Sequence, residues 1–206
     1  MARSKTSKKW LQRHVNDEFV KQSIKDGYRS RAVYKLIELD DKSHFLRPNQ
    51  TVIDLGAAPG GWSQIASERV GEQGRVIGID LLPIDPLPDV DFLQGDFRED
   101  ADLQKLLDLM SGEQADLVLS DMAPNMSGMN AVDQPRAMYL CELALQFAVD
   151  HLKPGGTFVC KVFQGEGFQP FLQDVRSHFS KVSMKKPKAS RPKSREMYLV
   201  AGNFKR

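Results

Sequence analysis

The sequence predicts an α/β protein with a doubly wound, mostly parallel seven-stranded sheet and an antiparallel last strand. Short apolar segments alternate with helical patterns along most of the 206 residues, as expected when helices cover both faces of a parallel sheet. A glycine-rich turn joins the first strand to a helix. The last two strands are separated only by the short link 187–194, which predicts a hairpin. One domain over 1–206 is expected, with a basic tail and helix at 1–31.

Each element is predicted from its periodicity. Strands are short runs of apolar or β-branched residues, whereas helices repeat apolar residues every three or four positions. The predicted strands are 51–55, 75–79, 90–93, 115–120, 157–163, 181–186 and 196–201. The predicted helices are 10–26, one after Ser30, 62–70, 101–110, 135–152 and 168–179.

The turn after the first strand favours a nucleoside ligand. Gly56, Gly60 and Gly61 allow the backbone to turn sharply and approach a ligand closely. A P-loop would continue with lysine where this chain has Gly61 and Trp62, and the dinucleotide pattern GxGxxG is missing. S-adenosylmethionine, which carries adenosine and a charged tail without phosphates, fits this turn. A purely structural turn is the alternative.

Acidic residues follow three of the predicted strands. Asp80 lies 24 positions after Gly56, where doubly wound nucleotide folds place an acid for the ribose hydroxyls. Asp96 is placed to accept a hydrogen bond from an adenine amino group, or else caps the next helix. Asp121 opens a turn-rich loop. For Asp80 taken alone, the alternative is a solubilising charge at a strand end.

Two base-methylation chemistries are disfavoured. The loop 121–128 lacks the second proline and the aromatic residue typical of enzymes that methylate exocyclic amines. Cytosine C5 chemistry uses a nucleophilic cysteine, usually after proline, and neither Cys141 nor Cys160 follows one. Both cysteines lie in apolar patterns without metal-ligand spacing, so we predict reduced core residues, with neither a disulfide nor a metal site.

The antiparallel last strand brings another acid to the same edge of the sheet. Its beginning lies beside the ends of the parallel strands, so Glu196 is expected near Asp80, Asp96 and Asp121. Lys161 interrupts an otherwise apolar strand, and a lysine is rarely buried there without a purpose. Four acids and a lysine are therefore expected to share one rim.

Charge is segregated along the chain despite a net charge of +2. Residues 1–31 carry nine Lys and Arg against three acids, 32–175 ten against twenty-three, and 176–206 ten against one. Two basic ends around an acidic middle suggest a phosphate backbone as partner, although solvated tails are an alternative. Neither a signal peptide nor an apolar run of membrane-spanning length is seen in the sequence, so a cytoplasmic protein without membrane partners is expected.

Six segments resemble, in order, the FtsJ/RrmJ family of bacterial, heat-shock-associated methyltransferases of 23S ribosomal RNA. They are DLGAAPGGWSQ (54–64), DFLQGDFR (91–98), SDMAPNMSG (120–128), PRAMYL (135–140), KVFQGEGF (161–168) and SRE (194–196). The resemblance implies a Rossmann-like fold and transfer of methyl from S-adenosylmethionine to a ribose 2′-hydroxyl, of a uridine, in the large ribosomal subunit. It also implies a monomer with a Lys-Asp-Lys-Glu active site. The matching catalytic residues are Lys35, Asp121, Lys161 and Glu196, and the matching cofactor contacts are Gly60, Trp62, Asp80, Asp96 and Asp121.

The chemistry requires a base, because a ribose hydroxyl is a weak acid. Lys161 is our candidate, oriented by Asp121 and Glu196, while Lys35 positions the substrate by resemblance only. Three alternatives remain open at this point. They are a messenger-cap 2′-O-methyltransferase, a nicotinamide dehydrogenase, and a factor that only binds RNA.

Overall fold

The computed structural model describes residues 17–205, and its centre is a sheet of seven strands. The strands are β1 (Thr51–Leu55), β2 (Arg75–Asp80), β3 (Val90–Gln94), β4 (Ala115–Ser120), β5 (Leu152–Phe163), β6 (Phe179–Lys185) and β7 (Glu196–Phe204). Their order is β3-β2-β1-β4-β5-β7-β6. Pairing is parallel from β3 through β5, whereas β7 runs antiparallel to both β5 and β6. The predicted fold class is confirmed, including the antiparallel last strand.

Six helices lie among the described residues, and those packed on the sheet form two layers. They are α1 (Glu18–Lys25), α2 (Val33–Ser43), α3 (Gly61–Val70), α4 (Asp100–Met110), α5 (Asn130–His151) and α6 (Phe168–His178). Apolar side chains of α2 and α3 pack on one face of the sheet, and those of α4, α5 and α6 pack on the other. The predicted helix 10–26 is observed only from Glu18 to Lys25, and its continuation through Asp17 is wrong, because Asp17 is extended and caps the start of α1. Residues before Asp17 lie outside the described residues.

Two boundaries differ by five residues from the predicted ones, at the start of α5 and at the start of β5. Helix α5 begins at Asn130 rather than near Pro135, because a proline is compatible with helical φ and removes only one hydrogen bond near the start of the helix. Strand β5 begins at Leu152 rather than at 157, since the register with β4 shifts after Ala115 and the segment 153–156 bulges out of the ladder. Gly155 and Gly156, just after the end of α5, lie in this bulge.

The register of the strands aligns the carboxyl ends of β1 to β4 along one edge of the sheet. Leu55, the last residue of β1, pairs with Ile79 in β2 and with Ser120 in β4. Ser120 pairs in turn with Cys160, the residue before Lys161. The loops that follow these strands therefore emerge together, where ligands bind in open α/β sheets.

Both cysteines belong to the core. Cys141 and Cys160 are free and buried, and both thiols donate to the carbonyl of Lys161, at 3.2 and 3.3 Å. Among residues 17–205, no helix is both long enough and apolar enough to span a membrane.

Candidate active site

A cavity of about 600 Å³ opens at the carboxyl edge of the sheet. Its walls come from the turns after β1 to β4 and from α5, and they include Asp80, Asp96 and Asp121. Apolar side chains such as Ile79, Leu81 and Met122 line the rest. The structure thus brings together three acids that the sequence placed at strand ends.

The turn between β1 and α3 approaches its neighbours closely. Gly56 has a φ of +79°, and a Cβ there would lie 2.4 Å from Met122 Cγ, so a side chain would displace the loop after β4. Gly60 has a φ of +100° and directly precedes α3. The first N–H groups of α3 have no acceptors within the helix, so this turn presents donors to an anionic group.

Trp62 turns its side chain away from the cavity. Its indole N–H donates to the carbonyl of Ala32 at 2.9 Å, and its ring centroid lies 5.7 Å from that of Tyr198. The ring is buried between α2, α3 and the sheet. The predicted contact of Trp62 with a ligand in the cavity would therefore have to be made by its backbone, in the first turn of α3, and not by its ring.

Asp80 fixes two of the turns that form the cavity. Its Oδ2 accepts from the backbone N–H of Ala58 at 2.9 Å, and its Oδ1 accepts from that of Leu82 at 2.8 Å. An ionised carboxylate has about four lone-pair sites, so acceptor positions remain for hydroxyl groups of a ligand.

Asp96 is held by Arg98, two residues further along the chain. The guanidinium makes a bidentate pair with the carboxylate, with Nε 2.8 Å from Oδ1 and Nη2 2.5 Å from Oδ2. The hydrogen bonds from Arg98 hold the pKa of Asp96 below its usual value, despite partial burial.

Lys161 and Asp121 form an ion pair beside the cavity. Lys161 Nζ lies 3.2 Å from Asp121 Oδ1 and donates to the Asp121 carbonyl at 2.5 Å. Their side chains are only 8% and 18% exposed. Burial favours a higher pKa for Asp121, but the cations of Lys161 and Lys35 and the hydrogen bond from Tyr198 outweigh it and lower that pKa.

Lys35 joins this pair through a tyrosine. Its Nζ lies 3.0 Å from Glu196 Oε1 and donates to Tyr198 Oη at 2.9 Å. Tyr198 Oη donates to Asp121 Oδ1 at 2.6 Å. Glu196, Lys35, Tyr198, Asp121 and Lys161 therefore form one continuous chain of polar contacts, which contains all four predicted catalytic residues.

Sequence reasoning missed Tyr198, although a signal was present. Tyr198 lies two residues after Glu196, so both side chains point to the same face of β7, and it pairs directly with Lys161 in the antiparallel ladder. Burial, together with the charges of Asp121 and Glu196, raises the pKa of Tyr198 well above its usual value. The hydroxyl therefore stays protonated and serves as a donor.

Asp54 is a second acid that the sequence analysis did not single out. It lies in β1 and is 1% exposed. Its Oδ2 accepts from Ser63 Oγ at 2.7 Å, whereas Oδ1 has no hydrogen-bond partner among residues 17–205. Burial raises the pKa of Asp54 to about 7 against the effect of Ser63, and the charges of Asp121 and Asp80 add to the rise.

Two neighbouring residues of α5 hold the loops that follow the catalytic strands. Asp133 accepts from the backbone N–H and hydroxyl of Ser127, both at 2.8 Å, in the loop after β4. Gln134 Nε2 donates to the carbonyl of Phe163 at the end of β5 and to that of Glu166 in the following loop, both at 3.0 Å. The first turns of α5 thereby fix the loops beyond Asp121 and Lys161.

The basic C-terminal segment 185–195 contacts the N-terminal helices. Arg31 donates to the carbonyl of Ala189 and pairs with Asp17, while the N–H of Lys188 donates to Glu38 Oε2 at 2.6 Å. Segment 185–195 leaves five basic side chains exposed. They are Lys186, Lys188, Arg191, Lys193 and Arg195.

Within the part of the chain that the structure describes, no cluster of three or more His, Cys, Asp or Glu residues is arranged to hold a metal ion. The ionisable groups at the carboxyl edge are instead paired with one another, as Lys161 with Asp121 and Lys35 with Glu196. The site offers acid–base groups and hydrogen-bond acceptors.

Comparisons with known proteins identify one family of similar sequences and a similar fold. The sequence profile of the FtsJ-like methyltransferase family matches residues 28–204. Proteins named ribosomal RNA large subunit methyltransferase E are 58% identical in Pseudomonas fluorescens Pf0-1, over 100% of this chain and 98% of theirs, and 59% identical in Stutzerimonas stutzeri, over 100% of both. A crystal structure from Plasmodium falciparum, described as a ribosomal RNA methyltransferase, superposes with a TM-score of 0.76 at 35% identity, covering 86% of this chain and 98% of its own.

Proposed function

Because the chain belongs to the FtsJ-like methyltransferase family, we propose that it methylates a ribose 2′-hydroxyl of 23S ribosomal RNA, in the large subunit, with S-adenosylmethionine as methyl donor. The relatives named for large-subunit ribosomal RNA support the substrate class. The observation that carries the ribose chemistry is the buried ion pair of Lys161 with Asp121, the member of the pair that lines the cavity. A ribose hydroxyl is a weak acid and a weak nucleophile, so its methylation needs a base that removes its proton as it attacks carbon.

The residues at the cavity fit the proposed cofactor. Asp80 retains acceptor sites for two adjacent ribose hydroxyls, and Asp96 has its carboxylate in the cavity wall. The turn at Gly60 and the first N–H groups of α3, including that of Trp62, suit the methionine carboxylate. When bound, S-adenosylmethionine supplies an electrophilic methyl group on a positively charged sulfur, for which ionised Asp121 is a suitable neighbour.

Lys161 is the proposed general base. The ammonium group of the ion pair first releases one proton to solvent. The neutral Nζ then takes the proton of the 2′-hydroxyl while the oxygen attacks the methyl carbon in line with the departing sulfur, and the ammonium is restored. The contacts to the carbonyl and Oδ1 of Asp121 fix Nζ in one place. Gln134 and Asp133 hold the loops beyond Lys161 and Asp121, so the distance between base and cofactor site is set before substrate binds.

Lys35, Glu196 and Tyr198 orient these groups. The positive charge of Lys35 neutralises the negative charge of Glu196. Two hydrogen bonds, from Lys35 to Tyr198 and from Tyr198 to Asp121, fix the position of Asp121 relative to Lys35. Exposures of 12% and 14% leave Lys35 and Glu196 accessible at one side. In the proposed complex, Lys35 holds the ribose or its phosphate, which lies next to the hydroxyl that reacts.

The decisive experiment locates the methyl group. Purified protein is incubated with radiolabelled S-adenosylmethionine and large ribosomal subunits, and the label is mapped by partial alkaline hydrolysis of the RNA. A 2′-O-methyl group blocks cleavage at the following linkage, so one missing band identifies both the position and the chemistry. We expect a single site in 23S RNA, at a uridine.

Two controls separate this proposal from its alternatives. Small subunits should take up no label, and protein carrying Lys161→Ala should label neither subunit. Label at a base atom, which leaves the alkaline ladder intact, would contradict the ribose proposal. Label only on capped messenger RNA would favour the cap methyltransferase instead.

A further inference from the structure

Arg98 and Asp96 form a closed ring of hydrogen bonds inside the cavity wall. The backbone N–H of Arg98 donates to Asp96 Oδ1 at 3.1 Å, and its guanidinium donates to both oxygens of the same carboxylate. Both residues line the cavity. The backbone of Asp96 is fixed as well, because its N–H donates to Asp102 Oδ2 at 2.9 Å.

This arginine differs from the basic side chains of segment 185–195. Its positive charge is compensated by Asp96 through a bidentate contact, the geometry in which guanidinium and carboxylate bind most specifically. Although 41% of its side chain is exposed, the donors at Nε and Nη2 are directed at Asp96 rather than at solvent. Its function is consequently tied to the cavity.

We propose that Arg98 is a specificity-determining positioning residue, which holds Asp96 in place as a proton-free acceptor and so makes the cavity select adenine over hypoxanthine. The inference rests on the proposed function, in which Asp96 accepts from the adenine amino group. Arg98 acts through Asp96 and does not itself contact the reacting atoms.

The two purines differ at the edge that faces Asp96. Adenine carries an amino donor at C6 and an acceptor at N1, whereas hypoxanthine carries a carbonyl acceptor at C6 and a donor at N1. A carboxylate without a proton pairs with the amino group and opposes the carbonyl. Hypoxanthine therefore binds well only if the acid takes up a proton or moves towards N1–H.

Arg98 obstructs both routes. Protonating Asp96 would break a charge-assisted pair, and hydrogen bonds from Arg98 already lower the pKa of this acid. The ring of contacts through the backbone N–H, Nε and Nη2 also prevents the carboxylate from moving. A site that recognises its ligand by hydrogen bonds discriminates strongly between ligands, because the wrong ligand leaves a buried polar group of the site without a partner.

Other charged groups surround this acid. Besides Arg98, those that line the cavity with it are Asp80, Asp121 and Arg136, together with the phenol of Tyr139. Asp102 and Lys105 on α4 form an ion pair of their own behind it. Only Arg98 contacts the Asp96 carboxylate through its side chain among the hydrogen bonds and ion pairs of residues 17–205. Removing Arg98 therefore leaves burial as the main influence on Asp96.

The test compares two ligands that differ only at the purine edge, S-adenosylhomocysteine and its deaminated form, S-inosylhomocysteine. Calorimetry on the full chain should show that the wild type prefers the adenosyl ligand by about 100-fold or more. Arg98→Met should reduce this preference at least about tenfold, mainly by improving inosyl binding. Arg98→Lys, which retains charge but not the bidentate contact, should fall between them. Arg75→Met, which removes the exposed arginine partner of Asp91 on β3, the strand that precedes Asp96, is the matched control and should keep the wild-type ratio.

The pH profile separates this role from a structural one. In Arg98→Met, inosyl affinity should increase at least about threefold between about pH 8 and about pH 5, because protonated Asp96 donates to the purine carbonyl. The wild type should show no such increase.

The role of Arg98 would be overturned if Arg98→Met lost affinity equally for both ligands. It would also be overturned if the ratio of the two affinities stayed at the wild-type value and inosyl affinity did not change with pH. Failure of the wild-type protein to bind S-adenosylhomocysteine at all would instead contradict the proposed function. The two failures are therefore distinguishable.

Discussion

Tyr198 Oη lies 2.6 Å from Asp121 Oδ1 and accepts at the same time from Lys35 Nζ. This hydroxyl is the only connection between the Lys35–Glu196 pair and the Asp121–Lys161 pair in the hydrogen bonds and ion pairs of residues 17–205. The two ion pairs therefore behave as one electrostatic unit with no net charge. A substitution in one ion pair is therefore expected to alter the position and the electrostatics of the other pair.

Replacing Tyr198 with phenylalanine tests that connection. The ring still packs on Trp62, but Asp121 loses a donor and Lys35 an acceptor in a nearly buried site. Because hydrogen bonds to charged groups contribute about 1.5–3 kcal/mol, unfolding free energy should fall by about 1–3 kcal/mol and turnover by about tenfold. Denaturant titration and single-turnover kinetics measure both. Tyr34→Phe, which removes a tyrosine–aspartate bond to Asp26 outside the site, should leave turnover unchanged.

Lys161→Ala should abolish methyl transfer but leave cofactor affinity nearly intact. General-base catalysis contributes on the order of 10² to 10⁴ in rate, so the loss should greatly exceed any effect of altered stability. Lys153→Ala is the matched control, because Lys153 lies at the other end of β5 and pairs with Asp116. Wild-type turnover in a folded Lys161→Ala protein would show that this lysine is not the base.

Asp80→Ala should have the opposite effect and weaken cofactor binding. Loss of a charged acceptor for the ribose hydroxyls should reduce affinity by about 1–3 kcal/mol. The turns at Ala58 and Leu82 also lose their acceptor, so part of the effect comes from the cavity wall. Calorimetry with Asp91→Ala as control decides the matter, since Asp91 is an exposed acid on β3. An unchanged dissociation constant for Asp80→Ala would mean that this acid has no role in cofactor binding.

The pKa of Asp54 predicts how stability varies with pH. Because its folded-state pKa is about 7 and its ordinary value 3.8, the folded protein binds more protons than the unfolded chain between about pH 4 and about pH 7. This acid therefore makes stability fall as pH rises through that window, by up to about 1.4 kcal/mol per pH unit, and then level off.

Asp54→Asn should remove that contribution while keeping an acceptor for Ser63. The difference in unfolding free energy between variant and wild type, measured across the window, isolates Asp54 from the acids that both proteins share. The variant should gain relative stability steadily as pH rises. A difference that stays constant with pH would show that Asp54 does not titrate there.

The fold was predictable because its evidence is local. Strand β1 has five consecutive buried residues, and such runs alternate with helical periods along the chain. The edge that holds Asp80, Asp96 and Asp121 followed from the geometry of parallel strands, and Glu196 joined it because β7 is antiparallel.

Side-chain partners were harder to predict. Tyr198 in an apolar strand has the pattern of an ordinary core residue, and nothing in the spacing of α2 indicates that Lys35 reaches Glu196, which is 161 positions away. The Asp96–Arg98 pair depends on rotamers within one tight turn, which residue patterns do not specify. Long-range contacts between single side chains require the assembled fold.

The contact between the two basic ends leads to a final prediction about the RNA. Arg31 is engaged by Asp17 and Ala189, whereas Lys186 and Lys188 leave their side chains exposed. The segment 185–195 should therefore supply more of the phosphate contacts than Arg31 does, since a paired charge releases fewer counterions on binding.

Replacing Lys186 and Lys188 with glutamate should weaken binding to any RNA without changing cofactor affinity. Each lost phosphate contact should flatten the slope of log affinity against log salt by about 0.7 to 0.9. The matched variant reverses Arg47 and Arg69, which are exposed near the opposite edge of the sheet, and should keep the wild-type slope. Filter binding of a 23S fragment over a salt series measures both. If the two variants gave the same slope, segment 185–195 would be a solvated surface, and RNA would be held mainly by other parts of the protein.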